Sequence, residues 1–259
     1  MDSLIDIAAE ARTRLLRMHH ATRSGHVGGN LSCLDALMTL HHRVLTPDDR
    51  FVLSKGHAAG ALYVTLWSRG LLTDEDLGTF GQDDSLLPGH PSGTGIPGLL
   101  FSTGSLGHGP SLATGLAMAA RHARSQRRVF CLCSDGEWQE GSCWEALSFA
   151  VHQRLGNLVL MIDQNGLQGF GTTEEVASCG DLAPRLVAFG AEVVRVDGHD
   201  FHALERCLTA PAGQAPRVIV MDTIKGRGCH YAGRLESHYL PLSDEELELA
   251  LSFTSSPIP

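Results

Sequence analysis

Residues Val129–Gln168 read VFCLCSDGEWQEGSCWEALSFAVHQRLGNLVLMIDQNGLQ, and this stretch decides the fold. An apolar run ends in Asp135-Gly136, a helical segment follows, and a second apolar run leads into Asn165-Gly166. This order predicts a βαβ unit, in which the two strands are parallel and neighbouring. The carboxyl ends of such strands open into the crevice where open α/β sheets bind ligands. We therefore expect Asp135 and Asn165 to lie side by side in that crevice.

The two side chains offer the kind of oxygen that binds a hard cation. A carboxylate and an amide oxygen suit Mg²⁺, which proteins hold with few groups of their own and with the phosphates of a ligand. Asp-Gly and Asn-Gly are also common turn dipeptides. The spacing by itself therefore fits either a metal-bridged diphosphate site or two ordinary strand ends.

The rest of the chain alternates between short apolar runs and helical segments. Strands are expected at 51–54, 129–134, 158–163, 192–197 and 218–222, and helices at 1–20, 60–69, 111–123, 142–154, 182–189 and 202–208. Short strands with little polar alternation are typical of a sheet that is covered on both faces. The pattern predicts an α/β fold, a doubly wound, mainly parallel sheet with helices on both faces. One domain is expected over residues 1–259, with a frayed tail over about 252–259.

Composition narrows the functional classes. The formal net charge of −9 argues against nucleic-acid binding, which needs a basic surface, and no apolar run has the length of a membrane span. The N-terminus carries acidic residues early and lacks the apolar core of a signal peptide. Seven cysteines without a CxxC pair indicate reduced thiols and a cytoplasmic protein. Cys131 and Cys133 lie within an expected strand and are interpreted as buried thiols.

Four of the 14 histidines lie in glycine-rich segments. They are His26 in SGHVGG, His57 in SKGH, His90 in PGHP and His108 in SLGHG. Glycine allows a close approach of the backbone to a ligand, and imidazole can donate to phosphate oxygens or transfer protons near neutral pH. A single histidine is more often packed or solvated, but the repeated pairing with glycine favours a functional site. The long loop from Gly78 to Gly109, which carries two of these motifs, is therefore expected to be functional.

These motifs, in this order, resemble those of transketolases. The matching segments are SGHVGG, LSKGH, PGHP, STGSLGHG, SDGEWQEG, DQNGLQ, VDGHD and TIKGRG, and they span Ser24 to Pro241. The resemblance implies the diphosphate-binding domain of a thiamine diphosphate enzyme. Ser134 stands where the family usually has the first glycine of GDG. Full-length family members continue into a pyrimidine-binding domain and a third domain, so a chain ending at Pro259 is expected to be the first subunit of a split, two-gene transketolase.

The resemblance also implies roles for individual residues. The metal, Mg²⁺ or another divalent cation such as Ca²⁺ or Mn²⁺, would be bound by Asp135, Asn165 and the carbonyl oxygen of Leu167. The residues implied to bind the cofactor are His57, Gly104, Ser105, Leu106, Asp135, Gly136, Glu137 and Asn165. The residues implied to act in catalysis are His26, His57, His90 and His238. His238 matches less closely, because it lies in ESHYLP rather than in the usual WHGKAP.

Further positions match the family without a firm role. His108 stands where the family often has glutamine, and Glu140 and Glu145 match acidic residues near the subunit interface. Lys55 and Asp163 are expected to support the site from behind, with a surface salt bridge or a strand-end contact as the alternative.

The implied reaction is transfer of a two-carbon ketol unit from a ketose donor to an aldehyde acceptor, with sugars or sugar phosphates as substrates. The chain would be active only with a partner subunit that carries the pyrimidine-binding domain, in an expected α2β2 assembly. One alternative is the α subunit of a 2-oxoacid dehydrogenase, which the SGHVGG, SKGH and STGSLGHG loops disfavour. Another is a non-catalytic assembly subunit, which the presence of Asp135, Asn165 and the glycine-flanked histidines disfavours.

Overall fold

The centre of the computed structural model, which describes residues 2–93 and 95–254, is a parallel sheet of five strands. These strands are β1 (Arg50–Leu53), β2 (Val129–Ser134), β3 (Leu158–Gln164), β6 (Glu192–Asp197) and β7 (Arg217–Asp222). Their spatial order is β1-β2-β3-β7-β6, and every neighbouring pair is parallel. A separate antiparallel hairpin, β4 (Leu167–Gln168) and β5 (Gly171–Thr172), follows directly after β3.

Helices cover the sheet and fill the connections. The longer ones are α1 (Asp2–Thr22), α2 (Val27–Thr39), α3 (Ala59–Ser68), α5 (Gly109–His122), α6 (Gly141–His152), α8 (Leu182–Ala188), α9 (Phe201–Thr209) and α11 (Asp244–Thr254). The short ones are α4 (Asp74–Gly78), α7 (Thr173–Ala177) and α10 (Glu236–Tyr239), with one π-turn (Leu40–Val44) and 3₁₀ turns at Gly56–Ala58 and Gly136–Gln139.

Strand β2 shows how the sheet is covered on both faces. All six of its residues are buried, and successive side chains point to opposite faces. Phe130 and Leu132 belong to the core that is shared with α1, α2 and α3. Cys131 and Cys133 belong to the core that is shared with α5 and α6. The doubly wound arrangement and the buried thiols are thus as the sequence predicted.

The expected strands all exist, and their ends agree to within one residue. Helix α2 was not predicted. All of its residues from Val27 to Thr39 are buried, and a helix that is covered on every side has no polar face to give an amphipathic pattern. The sequence placed the beginning of the frayed tail at Ser252, but α11 continues to Thr254. Residues 255–259 of that tail lie outside the described residues.

Within the described part of the chain, no helix combines the length and the apolar character that a membrane crossing requires.

Candidate functional site

The carboxyl ends of β2 and β3 lie next to each other, as the βαβ pattern predicted. Ser134 pairs with Asp163 in the parallel register, so the residues that follow each strand meet at the same edge. One carboxylate oxygen of Asp135 accepts a hydrogen bond from the backbone N–H of Gly136 at 2.8 Å. The other accepts from the N–H of Gly166 at 2.6 Å. Asp135 is therefore joined directly to the turn that carries Asn165.

Asp135 holds its charge in an unfavourable place. The residue is only 5% exposed, and burial together with the nearby Asp163 charge raises the pKa of Asp135 to about 6. A divalent cation beside this carboxylate would stabilise its ionised form. Asp135 therefore has the electrostatic character of a metal ligand.

Two further oxygens extend the group. The side-chain oxygen of Asn165 accepts from the N–H of Leu167 at 3.1 Å, and the carbonyl oxygen of Leu167 accepts from Lys225 Nζ at 2.9 Å. The carboxylate, the amide oxygen and the carbonyl oxygen come from the tips of two neighbouring strands and the hairpin that follows. This set has the composition that Mg²⁺ prefers.

The four histidines that the resemblance assigned to catalysis form one cluster. The ring centre of His26 lies 5.6 Å from that of His57, 5.8 Å from that of His90 and 5.0 Å from that of His238. They come from distant positions in the chain: the start of α2, the turn after β1, the long loop and helix α10. The backbone N–H of His26 donates to the His238 carbonyl oxygen at 2.7 Å, which fixes the late histidine to the early one.

Burial keeps three of these imidazoles neutral near pH 7. It lowers the pKa of His26, with help from His90, and together with Lys55 it holds the pKa of His57 well below its usual value. Burial and the neighbouring Lys225 lower the pKa of His238 to about 3. Neutral imidazoles can each donate one hydrogen bond and accept another, so the cluster can bind polar substrate groups without carrying a large positive charge.

Lys225 belongs to this site, and sequence reasoning gave it no role. Its ammonium contacts the Leu167 carbonyl oxygen and lies 2.8 Å from Nδ1 of His238. Burial lowers the pKa of Lys225 to about 8. The signal was present in TIKGRG, because Lys225 follows β7, the strand beside β3, and the tips of adjacent parallel strands share one edge.

A buried ion pair supports the site from behind. Lys55 and Asp163 are 0% exposed and form a direct salt bridge, so the supporting role expected for them, and not a surface salt bridge, describes their position. Lys55 Nζ also donates to the Gly29 carbonyl oxygen at 2.9 Å. Burial alone would raise the pKa of Asp163, but the Lys55 charge holds it below its usual value. This pair joins the ends of β1 and β3 to helix α2.

Glu137 lies elsewhere than the cofactor role implied. One of its carboxylate oxygens accepts from the Ser54 hydroxyl and, at 3.0 Å, from the N–H of Gly107. The other accepts from the N–H of Ser134 at 2.7 Å. The side chain is 0% exposed. Its carboxylate therefore holds three loops together instead of facing the cavity.

The motif glycines serve the packing of loops as much as the approach of a ligand. A Cβ on Gly25 would lie 2.7 Å from the Tyr239 carbonyl oxygen. A Cβ on Gly56 would lie 2.7 Å from the backbone of Thr103, and one on Gly28 would overlap Ser237. These loops can meet around the histidines only because their contact points lack side chains.

The remaining candidates lie around the rim of the site. Gly104 and Leu106 line the cavity of about 190 Å³ that also contains the histidines, Asp135 and Asn165, while Ser105 between them is exposed. His108 is exposed at the start of α5, and its Nδ1 lies 3.0 Å from the Leu106 carbonyl oxygen. Glu140 and Glu145 are exposed at the beginning of α6.

A larger cavity of about 860 Å³ adjoins the first one. It shares Asp135 and Asn165 with the histidine cavity and extends under the ends of β7 and β6. Several acidic side chains line it, namely Glu174, Asp181, Asp197 and Asp222. The two strand tips thus stand between a histidine-rich cavity and an acidic one.

Comparison with known proteins identifies the family. Residues 6–253 match the family model described as the transketolase, thiamine diphosphate binding domain. The chain belongs to the transketolase family.

Two relatives have nearly the same length as this transketolase-family chain. One, named for a subunit of the apulose-4-phosphate transketolase of Phocaeicola vulgatus, is 37% identical, over 95% of this chain and 92% of that protein. The other, named for a subunit of the 6-deoxy-6-sulfo-D-fructose transketolase of a Clostridium species, is 36% identical, over 88% of this chain and 87% of that protein. Both names describe subunits of transketolases, so the family alternative of a 2-oxoacid dehydrogenase subunit is not supported.

A solved structure gives the same fold. The transketolase from Leishmania mexicana superimposes with a TM-score of 0.91 at 30% sequence identity, over 97% of this chain. The chain spans only 41% of that structure. The doubly wound sheet described above is thus the diphosphate-binding part of the transketolase fold.

Proposed function

We propose that this chain is the diphosphate-binding subunit of a heteromeric transketolase. The enzyme would transfer a two-carbon ketol unit from a ketose donor to an aldehyde acceptor. The observation that carries the proposal is the meeting of Asp135, Asn165 and the Leu167 carbonyl oxygen beside four clustered histidines. The names of the two relatives of similar length support it, because each describes one subunit of a transketolase.

The donor set fits thiamine diphosphate held through a divalent cation. Asp135, Asn165 and the Leu167 carbonyl oxygen would bind Mg²⁺, and oxygens of the diphosphate would complete its coordination. No group of three or more His, Cys, Asp or Glu side chains able to hold a metal occurs among the described residues, which agrees with a site that depends on the ligand's own oxygens. Ca²⁺ and Mn²⁺ use the same oxygen ligands and are the other candidates.

The chain's own residues would bind and orient the reactants. Lys225 would donate to the diphosphate, since its buried ammonium already lies against the Leu167 carbonyl oxygen. His57 and His238 would donate hydrogen bonds near the reacting centre, and His26 and His90 would bind donor hydroxyl groups. When bound, thiamine diphosphate supplies the stabilisation of the carbanion, which is the cofactor's own chemistry.

The partner we propose is a subunit that carries the pyrimidine-binding domain, in an α2β2 assembly. Leu106 and Tyr239 are 39% and 52% exposed near the cavity, and Phe170 in the adjoining hairpin is 85% exposed. Such exposed apolar groups are typical of a surface that a partner covers. Sugars or sugar phosphates are the proposed substrates. All seven cysteines are free, which favours a reducing, cytoplasmic location.

The test is a ketol-transfer assay with this chain alone, with the partner alone and with both together. Thiamine diphosphate and Mg²⁺ are present, and a ketose phosphate is the donor for a short aldehyde acceptor. We expect turnover only from the assembled enzyme. Turnover by this chain alone would contradict the need for a partner. An assembled enzyme that acts on a 2-oxoacid but not on a ketose, or that binds no thiamine diphosphate, would contradict the proposed reaction.

A further inference from the structure

The loop from Thr223 to Gly226 carries Lys225 into the site and is held to its neighbours at several points. The backbone N–H of Thr223 donates to the Gln164 carbonyl oxygen at 3.2 Å, and its hydroxyl donates to Asp163. The N–H of Gly226 donates to the Gly28 carbonyl oxygen at 3.0 Å. These contacts fix the two ends of the loop against β3 and α2.

The middle of the loop is held by His199, from the VDGHD motif. The N–H of Ile224 donates to Nε2 of His199 at 3.0 Å. Because Nε2 accepts this bond, the ring proton must be on Nδ1, which lies 2.8 Å from Asp35 and donates to it. The His199 side chain is only 3% exposed. Its tautomer and orientation are therefore fixed from both sides.

Asp35 is itself anchored. It forms a buried salt bridge with Arg12 at 2.9 Å, with both side chains 5–6% exposed. A rigid connection thus runs from helix α1 through helix α2 and the turn after β6 to the Ile224 amide. Such a buried polar chain has a high cost unless every member is satisfied, and here each member has a partner.

We infer that His199 is a positioning residue for the cofactor diphosphate, acting through the Ile224 amide on Lys225. This inference rests on the proposed function, in which Lys225 binds the diphosphate. The Ile224 side chain is 44% exposed and gives the loop little packing, so its backbone bond to His199 is the main restraint beside Lys225.

The acidic cavity explains why the restraint matters. His199 lies on the side of the loop that faces this cavity, where Asp197 and Asp222 also lie. A lysine whose loop could move would be attracted to these carboxylates and away from the diphosphate. By holding Ile224, His199 keeps the Lys225 side chain on the histidine side of the strand tips.

The test uses two substitutions that separate the two bonds of His199. In His199→Gln, the side-chain oxygen can replace Nε2 as the acceptor for the Ile224 amide. In His199→Asn, the shorter amide can replace Nδ1 as a donor to Asp35 but cannot reach Ile224. Each variant is assembled with the partner subunit, and its affinity for thiamine diphosphate in saturating Mg²⁺ is measured by calorimetry. His202→Asn, at an exposed position of the adjacent helix α9, is the matched control.

We expect His199→Asn to weaken thiamine diphosphate binding by about tenfold, the effect typical of residues that orient a ligating group. We expect His199→Gln to stay within about threefold of the wild type and His202→Asn to match it. Because a structural role alone could also weaken binding, His199→Asn is combined with Lys225→Met. If His199 acts through Lys225, the effects of the two substitutions are not additive.

Equal weakening by the Asn and Gln variants, or strict additivity with Lys225→Met, would overturn the inference. Should His199→Asn not fold, His199→Gln must still bind thiamine diphosphate within threefold of the wild type for the inference to stand. Failure of the wild-type assembly to bind the cofactor is a different result, since it overturns the proposed function and the inference with it.

Discussion

Asp135 is a carboxylate that burial and the charge of Asp163 destabilise, yet it lies at the edge of the sheet with both oxygens bonded to backbone N–H groups. A protein that needed only a turn at this point could use a neutral residue at a lower cost. The charge is explained if a cation bound there stabilises it. The same reasoning separates Asp135 from Glu137, whose charge is used within the protein to hold loops together.

Substitution of Asp135 by alanine should remove the metal and the cofactor together, because the cation joins the protein to the diphosphate. We expect Asp135→Ala to weaken thiamine diphosphate binding by the assembled enzyme at least about a hundredfold in the presence of Mg²⁺. The measurement is calorimetry. Glu174→Ala, at an exposed position in the wall of the acidic cavity, is the control and should bind normally. Wild-type affinity in Asp135→Ala would disprove the metal assignment.

The sequence predicted most residues of the site because their signal is local. Asp135 and Asn165 follow apolar runs, and the histidines lie beside glycines. Lys225 was missed because a lysine after a strand has no local mark of burial. Glu137 was placed wrongly because its position next to Asp135-Gly136 does not reveal that its side chain turns back beneath Gly107 and Ser54.

At the scale of secondary-structure elements, helix α1 contains a histidine that titrates against the fold. His19 is 2% exposed and packs against Phe80 with ring centres 5.1 Å apart. Burial lowers its pKa to about 4. Between this value and the ordinary value of about 6.5, the unfolded chain binds a proton that the folded chain does not. The free energy of unfolding must therefore fall as the pH falls through that window.

Replacing His19 with a residue that does not titrate should remove this part of the pH dependence. We expect the loss of unfolding free energy between pH 7 and pH 5 to be smaller in His19→Gln than in the wild type, by about 2 kcal/mol. Urea titrations at the two pH values measure it. His122→Gln, at an exposed position near the end of α5, should leave the pH dependence unchanged. A wild-type slope in His19→Gln would contradict the burial argument.

The elements that the sequence revealed and the ones it concealed differ in their surroundings. The strands and the helices on the outside of the sheet carry a period or a boundary that can be read directly. Helix α2 lies between the sheet and other helices and begins at His26 in a left-handed conformation with φ of 67°. Its fully buried surface and its glycine-rich start gave no helical signal. The hairpin β4–β5 is too short to produce one.

At the scale of the whole molecule, the loops that follow the parallel strands gather the functional groups at one edge of the sheet. The turns after β1, β2, β3 and β7 supply His57, Asp135, Asn165 and Lys225. Helix α10 brings His238 across this edge. This gathering follows from the parallel topology, and it explains why residues from most of the chain's length form one site.

The same topology leaves the site open on the side where exposed apolar groups lie, which is where the proposed partner would complete it. Neither the identity of the partner's residues nor the substrate could be predicted from this chain. The residues that would bind the far end of a sugar phosphate are implied to lie mainly on the partner.

Anomalous diffraction from crystals of the assembled enzyme, grown with thiamine diphosphate and Mn²⁺ in place of Mg²⁺, tests whether the two strand tips bind the cation. We expect a single strong manganese peak within coordination distance of Asp135, Asn165 and the Leu167 carbonyl oxygen, with the diphosphate on its open side. A peak elsewhere, or none with saturating cofactor, would contradict the metal-bridged site on which the proposed function depends.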